Sequence, residues 1–310
     1  MALTRKKVLL AKKEETYGTD PTAVATNAIQ VTNVEVTPIE SDNVEPASFQ
    51  GFIGNSTRST LVANKRVSIS FDVELAGSGA AGTAPAFGPL LEACGMIETP
   101  VSGTSVTYAP DATPTDSVTI CSYYDGSLHK ITGARGTVTF SMTAGQFPLA
   151  SFQFIGIFNA VSSGGSTTTI ANQAAALEIN DTNVTTATFY GETSQRIESF
   201  DFALNNNLIY KETASNQQAI IVDRTPGGTA VIEAPSLGSV NYFTHVTGTS
   251  TASSSIAIGA SAGNITTLTI PQTDITGVTY GDTNGVISLS MPYAARPTGS
   301  GNDEFSLAFT

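Results

Sequence analysis

Tryptophan is absent from this 310-residue chain, cysteine and histidine occur twice each, and charged residues make up only 13%. So little charge excludes a surface of salt-bridged helices and leaves hydroxyls and backbone to meet water, as in a strand-rich protein with extensive subunit contacts. Cys94 and Cys121 sit in different local contexts without CxxC spacing, so both are expected as buried free thiols and no structural disulfide is needed. His129 and His245 belong to no HExxH and no short His/Cys cluster, and neither a zinc site nor a Ser-His-Asp site is indicated. The glycine-rich segments 77–82 and 299–301 lack the Gly-Lys-Ser/Thr that cradles phosphate. Asp125 near His129 suggests an acid–base pair, but Asp125-Gly126 reads first as a hairpin turn. No catalytic residue, metal or cofactor is expected, and the chain is read as a non-enzyme.

Basic residues are the scarcer sign, 14 against 26 acidic, for a net charge of −12. Five of them, Arg5, Lys6, Lys7, Lys12 and Lys13, fall in the first thirteen positions; everything after carries nine basic and 26 acidic residues, or −17. A body of that sign argues against binding that neutralises phosphates. Long apolar runs are missing too. Val8-Leu9-Leu10-Ala11 is too short for a secretory core and is cut off by Lys12-Lys13. No run approaches the ~20 residues that span a bilayer, so no membrane insertion is expected.

What is present is alternation. Val67, Ile69, Phe71, Val73 and Leu75 interleave with Arg66, Ser68, Ser70, Asp72 and Glu74, and Val138, Phe140 and Met142 with Thr137, Thr139, Ser141 and Thr143. This two-residue period sends apolar groups to one sheet face and polar groups to the other. Phe152, Phe154 and Phe158 share one parity of the next run, beyond the turn residues Gly145 and Pro148. The pair across 125–158 is therefore read as an antiparallel hairpin. Further strands are expected near 105–109, 117–124, 185–190, 197–205, 218–222, 229–234, 286–293 and 304–309. Residues 86–95 form the single expected helix, with Pro89 in the first turn and Gly95 at the C-cap. One domain over 1–310 is expected, with a basic N-terminal arm (1–21), a long acidic loop (37–60) and an outward elaboration at 236–285.

The stretch DGSLHKITGARGTVTFSMTAGQFPLASFQFIGIF at 125–158 resembles the tail tube proteins of long-tailed, siphophage-type bacteriophages. It combines an Asp-Gly turn, Ile131-Thr132-Gly133-Ala134-Arg135-Gly136, Thr/Val/Phe alternation, Ala-Gly and a Phe-rich strand with an embedded glycine. The resemblance implies a mainly β sandwich or barrel with one short helix, closing as hexameric rings around a shared inner β-barrel. It implies stacking of rings around a tape measure protein, contact with tail terminator and distal tail proteins, and later passage of DNA. The location implied is the virion tail, after synthesis in the bacterial host cytoplasm. Lumen-facing candidates are Arg66, Ser68, Ser70, Asp72, Glu74, Thr137, Thr139, Ser141, Thr143, Ser199 and Asp201, since hydroxyls dotted with carboxylates repel phosphates and let DNA slide. Inter-ring candidates are Arg5, Lys6, Lys7, Lys12 and Lys13, with Glu40, Asp42 and Glu45 of the loop. The rival is a β-sandwich that binds carbohydrate or serves adhesion; it finds little support in Tyr123 and Tyr124, which as neighbours point to opposite faces.

Overall fold

The computed structural model describes residues 3, 5–45, 51, 53, 59–193 and 195–310. In chain order its strands are β1 (Lys7–Lys13), β2 (Ala28–Ile29), β3 (Thr32–Val44), β4 (Leu61–Glu74), β5 (Met96–Val101), β6 (Ser105–Pro110), β7 (Val118–Tyr124), β8 (Ser127–Thr143), β9 (Leu149–Phe158) and β10 (Ser162–Ser163). They continue as β11 (Val184–Thr188), β12 (Ile197–Ala203), β13 (Asn206–Glu212), β14 (Gln217–Arg224), β15 (Gly227–Glu233), β16 (Ala252–Ile258), β17 (Thr266–Ile275), β18 (Thr279–Thr283), β19 (Val286–Ala295) and β20 (Ser306–Phe309). Two short α-helices, α1 (Gly88–Ala93) and α2 (Tyr242–Thr247), and a 3-10 turn at Ala25–Asn27 complete the elements among the described residues. The fold is mainly β, as the alternation predicts, and its sheets do not close on themselves.

The principal layer is antiparallel throughout and runs β3-β4-β9-β8-β12-β15-β19-β18. β8 is its hub. One edge of β8 carries β9, while the other carries β7 along its first half and β12 along Thr139–Thr143. A second layer runs β11-β16-β17-β20-β6-β5 and joins the first where the last residues of β17 pair with β19. One parity of each of the six inner strands of the principal layer faces the core: Phe71 on β4, Phe140 on β8, Phe154 on β9, Phe202 on β12, Ile232 on β15 and Met291 on β19, each at most 2% exposed. They share one apolar cluster with Tyr108, Leu268, Leu307 and Phe309 of the second layer and Leu90 and Leu91 of α1. At about 1.5–3 kcal/mol for each fully buried large side chain, this core is the main stabilising term of the fold.

Four expectations are corrected. The N-terminal segment is no arm: β1 pairs over its full length with β7, and Leu9, Leu10 and Ala11 are buried. The interval 37–60 is not a loop from its start, because β3 continues to Val44. Its three register shifts against β4 accommodate Pro38 and the acidic residues at a sheet edge. Residues 46–50, 52 and 54–58 of that interval lie outside the described residues. The helix is shorter than 86–95, and α2 is a second one, capped by the Asn241 side chain accepting from Phe243 N–H. Finally, 236–285 is not an outward elaboration, since β16 and β17 lie in the second layer and bury Ile256, Ile258, Leu268 and Ile270 in the shared core.

The turns fall where the sequence places them. Asp125 and Gly126 both adopt positive φ, 37° and 102°, in the tight connection of β7 to β8. Cys94 and Cys121 are free and buried, and burial pushes both thiols up from their ordinary range.

Candidate functional site

The second parity of the principal layer forms one continuous polar face. Cross-strand register sets Ser151 between Asp72 and Thr139, and Ser141 between Leu149 and Asp201. Asp201 in turn lies against Thr229, which lies against Pro292. A further row joins Thr143, Ser199, Val231, Ser290 and Thr279. All eleven residues singled out as lumen candidates therefore belong to the same face of one sheet, although they come from three strands far apart in sequence.

The face is not uniformly open. The β13–β14 hairpin crosses the half nearest the β3–β4 tip, and Leu208 lines a small cavity there with Ser68, Ser70, Gln153 and Ile155. Asn206 N–H donates to Thr137 Oγ1 at 3.2 Å, and Tyr210 OH donates to the Lys65 carbonyl at 3.0 Å. Arg66 is held by Glu40 at 3.1 Å and Asp42 at 3.5 Å. Arg66, Ser68 and Thr137 are thus engaged by this chain's own hairpins, and Ser70 faces the cavity beneath Leu208. Asp72, Glu74, Thr139, Ser141, Thr143, Ser199 and Asp201 occupy the other half.

None of the strand residues in the open rows is Lys or Arg. Asp72 accepts from Asn33 Nδ2 at 2.7 Å and Ser151 Oγ at 2.6 Å. Asp201 is half-buried, and burial raises its carboxyl above the ordinary range despite a hydrogen bond with Ser141. The strand residues here offer hydroxyls and scattered carboxylates, and the neighbouring Arg196 is already paired with Glu233 at 2.9 Å, so phosphate finds few partners and like-charge repulsion keeps a polyanion mobile over such a surface.

Four of the five basic residues of the N-terminal cluster have partners within the subunit. Lys13 Nζ sits between Glu92 at 2.5 Å and Asp116 at 2.9 Å, and Lys6 pairs with Asp125 at 3.3 Å. Lys12 Nζ donates to the Pro21 carbonyl at 2.9 Å, and Lys7 Nζ donates to the Val34 carbonyl at 3.1 Å while lying over the Tyr124 ring. These ammonium groups are used within the subunit; Arg5 and Glu45 remain exposed. Asp125 also accepts from Leu3 N–H, and His129 packs edge-on to Tyr124, so the two are occupied elsewhere than with each other. Among the described residues no group of His, Cys, Asp and Glu is arranged to hold a metal ion, and no helix is long and apolar enough to cross a membrane.

A buried polar cluster that the sequence reading missed fixes the β13–β14 hairpin. Glu14 accepts from Gly18 N–H, Ser117 Oγ, Thr119 Oγ1 and Gly133 N–H at 2.6–2.7 Å. Tyr17 OH donates to the Gly133 carbonyl at 3.0 Å and accepts from Ala219 N–H at 2.6 Å. Arg135 donates to the carbonyls of Ala219, Asp116 and Thr115, and its guanidinium lies over the Tyr17 ring. Gly133 is needed here, because φ is +59° and a Cβ would stand 2.7 Å from that ring. Glu14 and Gly133 lie 119 positions apart, so no local spacing in the sequence marks them as partners.

Residues 4–309 match the family described as phage tail tube protein. No curated protein matches the chain.

Proposed function

Because its match over residues 4–309 shows that the chain belongs to the phage tail tube protein family, we propose that its open polar face lines the channel of a tube made of stacked rings of this protein. Family membership makes the chain a structural component of the virion tail that assembles with other tail proteins. The observation that supports a channel wall is the single extended sheet with one face in the core and the other polar, without Lys or Arg on the strands of its open half and continuous across strands from both halves of the chain.

In this reading rings carry the six-fold repeat implied by the resemblance, and DNA passes over Asp72, Glu74, Asp201 and the hydroxyl rows during delivery into the host. A tape measure protein occupies the channel during assembly, with tail terminator and distal tail proteins at its ends. Beyond Arg66, β4 pairs with β3 alone, and this ribbon exposes Ile39, Val44, Leu61 and Val62. Two isolated strands are marginal in water, so the ribbon suits a contact with the next ring, with Glu40, Asp42, Glu45 and Arg5 near or at exposed surface. Lys6 and Lys7, exposed beside their partners within the subunit, belong to the same proposed contact.

Negative-stain microscopy of the purified protein tests the proposal. Hollow tubes or stacked rings are expected, and monomers persisting over a wide concentration range would reject it. In phage carrying Asp72→Lys with Glu74→Lys, tails are expected to assemble while DNA delivery falls; undiminished delivery would remove this face from the channel.

A further inference from the structure

Seven elements of the first half of the chain recur in the same order in the second, with β2, β5, β6 and β10 as additions to the first. β1, β3, β4, α1, β7, β8 and β9 are matched in turn by β11, β12, β15, α2, β16, β17 and β19. Five antiparallel pairings recur with them. β1–β7 corresponds to β11–β16, β3–β4 to β12–β15, and β4–β9 to β15–β19. β7–β8 corresponds to β16–β17, and β8–β9 to β17–β19. β18 prolongs the β17 side of the last pair along β19, so β17 and β18 together stand where β8 stands in the first unit. β13 and β14 likewise extend the β12–β15 hairpin as the distal halves of β3 and β4 extend theirs. The chain thus carries two versions of this seven-element unit.

Inside the chain the units meet edge to edge. β12, the counterpart of β3, pairs with Thr139–Thr143 of β8, whose counterpart is β18. At that seam Phe140 and Phe202 stack with ring centroids 6.4 Å apart and are fully buried. The two outer edges of the layer are the same two kinds of edge without their mates: among the described residues β3 pairs only with β4, and β18 only with β19. Apolar groups of core parity lie open there. Tyr280 of β18 is 69% exposed and Ile287 of β19 is 58% exposed, although Leu289 next along that face is buried.

We infer that a second copy of this chain closes each edge, β18 of one copy pairing with β3 of the next as β8 pairs with β12, and that three chains complete a ring of six units. This rests on the tube reading above and refines it, replacing six subunits by six units. Strand number selects three. Each chain brings eight strands to the wall, and strands lie about 4.8 Å apart, so three chains give a circumference of roughly 115 Å and a width of about 37 Å before tilt enlarges it. Two chains give about 24 Å, the strand count of a porin, which leaves no room for a duplex after the inner side chains are subtracted. Six chains give roughly 73 Å, far wider than a duplex requires.

Cross-linking across the new joint tests this. Glu35→Cys and Thr279→Cys introduce thiols on the two outer edges and on the same polar face, while the native Cys94 and Cys121 are buried and stay silent. Rings or tubes of the double variant, verified by microscopy and treated with a short bismaleimide, are expected to give a denaturing-gel ladder that ends at three chains, with each single variant remaining monomeric. A ladder ending at six overturns the three-chain count. Tubes that yield no ladder overturn the β18–β3 joint. Absence of rings and tubes from wild type and variant alike overturns the tube reading itself.

Discussion

Replacing Glu14 by glutamine removes a buried charge without changing its volume, and the cost follows from four hydrogen bonds. Oε2 accepts from Gly18 N–H and Ser117 Oγ, and Oε1 from Thr119 Oγ1 and Gly133 N–H. The glutamine NH2 must replace one of these oxygens. The hydroxyl on that side can rotate and accept, but the backbone N–H of Gly18 or Gly133 cannot turn away and is left facing a donor. One unsatisfied buried N–H costs about 1–3 kcal/mol, and the two bonds retained by the amide oxygen lose their charge assistance at roughly 1 kcal/mol each. The expected loss is about 3–5 kcal/mol, with Glu14→Ala losing more because no acceptor remains. Urea unfolding at unchanged m-value reads this directly. A loss below about 1 kcal/mol for Glu14→Gln would refute the claim that this carboxylate fastens the first strand to β7 and β8.

Three further outcomes are expected. Deleting residues 2–13 removes β1 from its seven-residue pairing with β7, so circular dichroism should show loss of the folded subunit; a folded monomer that merely stacks poorly would return the segment to the role of an arm. Asp20 accepts from Lys130 Nζ at 2.5 Å, and although burial alone raises its carboxyl, this bond and the Thr22 N–H bring it below the ordinary range. Its contribution is therefore complete above about pH 3.9 and is lost as pH falls through the lowered value, so Asp20→Asn should destabilise near neutrality and converge with wild type in acid. Asp201 has the opposite sign: burial raises its carboxyl, so its contribution is complete below the unfolded value and is lost as pH rises through the folded one. Thermal midpoints from pH 7 to pH 3 should then show Asp201→Asn more stable than wild type near neutrality, and shifts of the same sign for both variants would contradict the assignment.

The alternation of 66–75 and 137–143 was legible because each strand has one face in the core and one outside it, and a period of two survives any topology. Short-range signals were legible as well, such as the Asp125-Gly126 turn and Pro89 at the start of α1. β1 was not, because its apolar stretch is four residues long between lysines, and those lysines find carboxylate and carbonyl partners supplied by residues distant in sequence. β3 was hidden by Pro38 and its acids, which an edge strand with register shifts tolerates. The polar face was partly legible: its residue types were visible strand by strand, but the hairpin lying across half of it is fixed by Glu14, Tyr17 and Arg135, whose partners no local pattern reveals. The repeated unit was invisible for a related reason. Its halves share pairing order while their side chains, turn lengths and helix caps differ, and pairing order is written in no single segment.

The register shifts of β3 bear on how such a protein survives in solution before it assembles. An open antiparallel sheet with bare edges invites identical strands to zip together into fibres, the route that amyloid takes. β3 breaks step with β4 between Thr32 and Glu35, between Thr37 and Glu40, and between Glu40 and Asp42. A second β3 laid against it would hold a regular ladder for only two or three residues before the kinks fell out of phase, with Glu35, Glu40 and Asp42 adding repulsion between the copies. The irregular edge therefore works as a guard against runaway self-pairing, leaving the concentrated subunit as a reservoir that grows in an ordered way and does not coagulate.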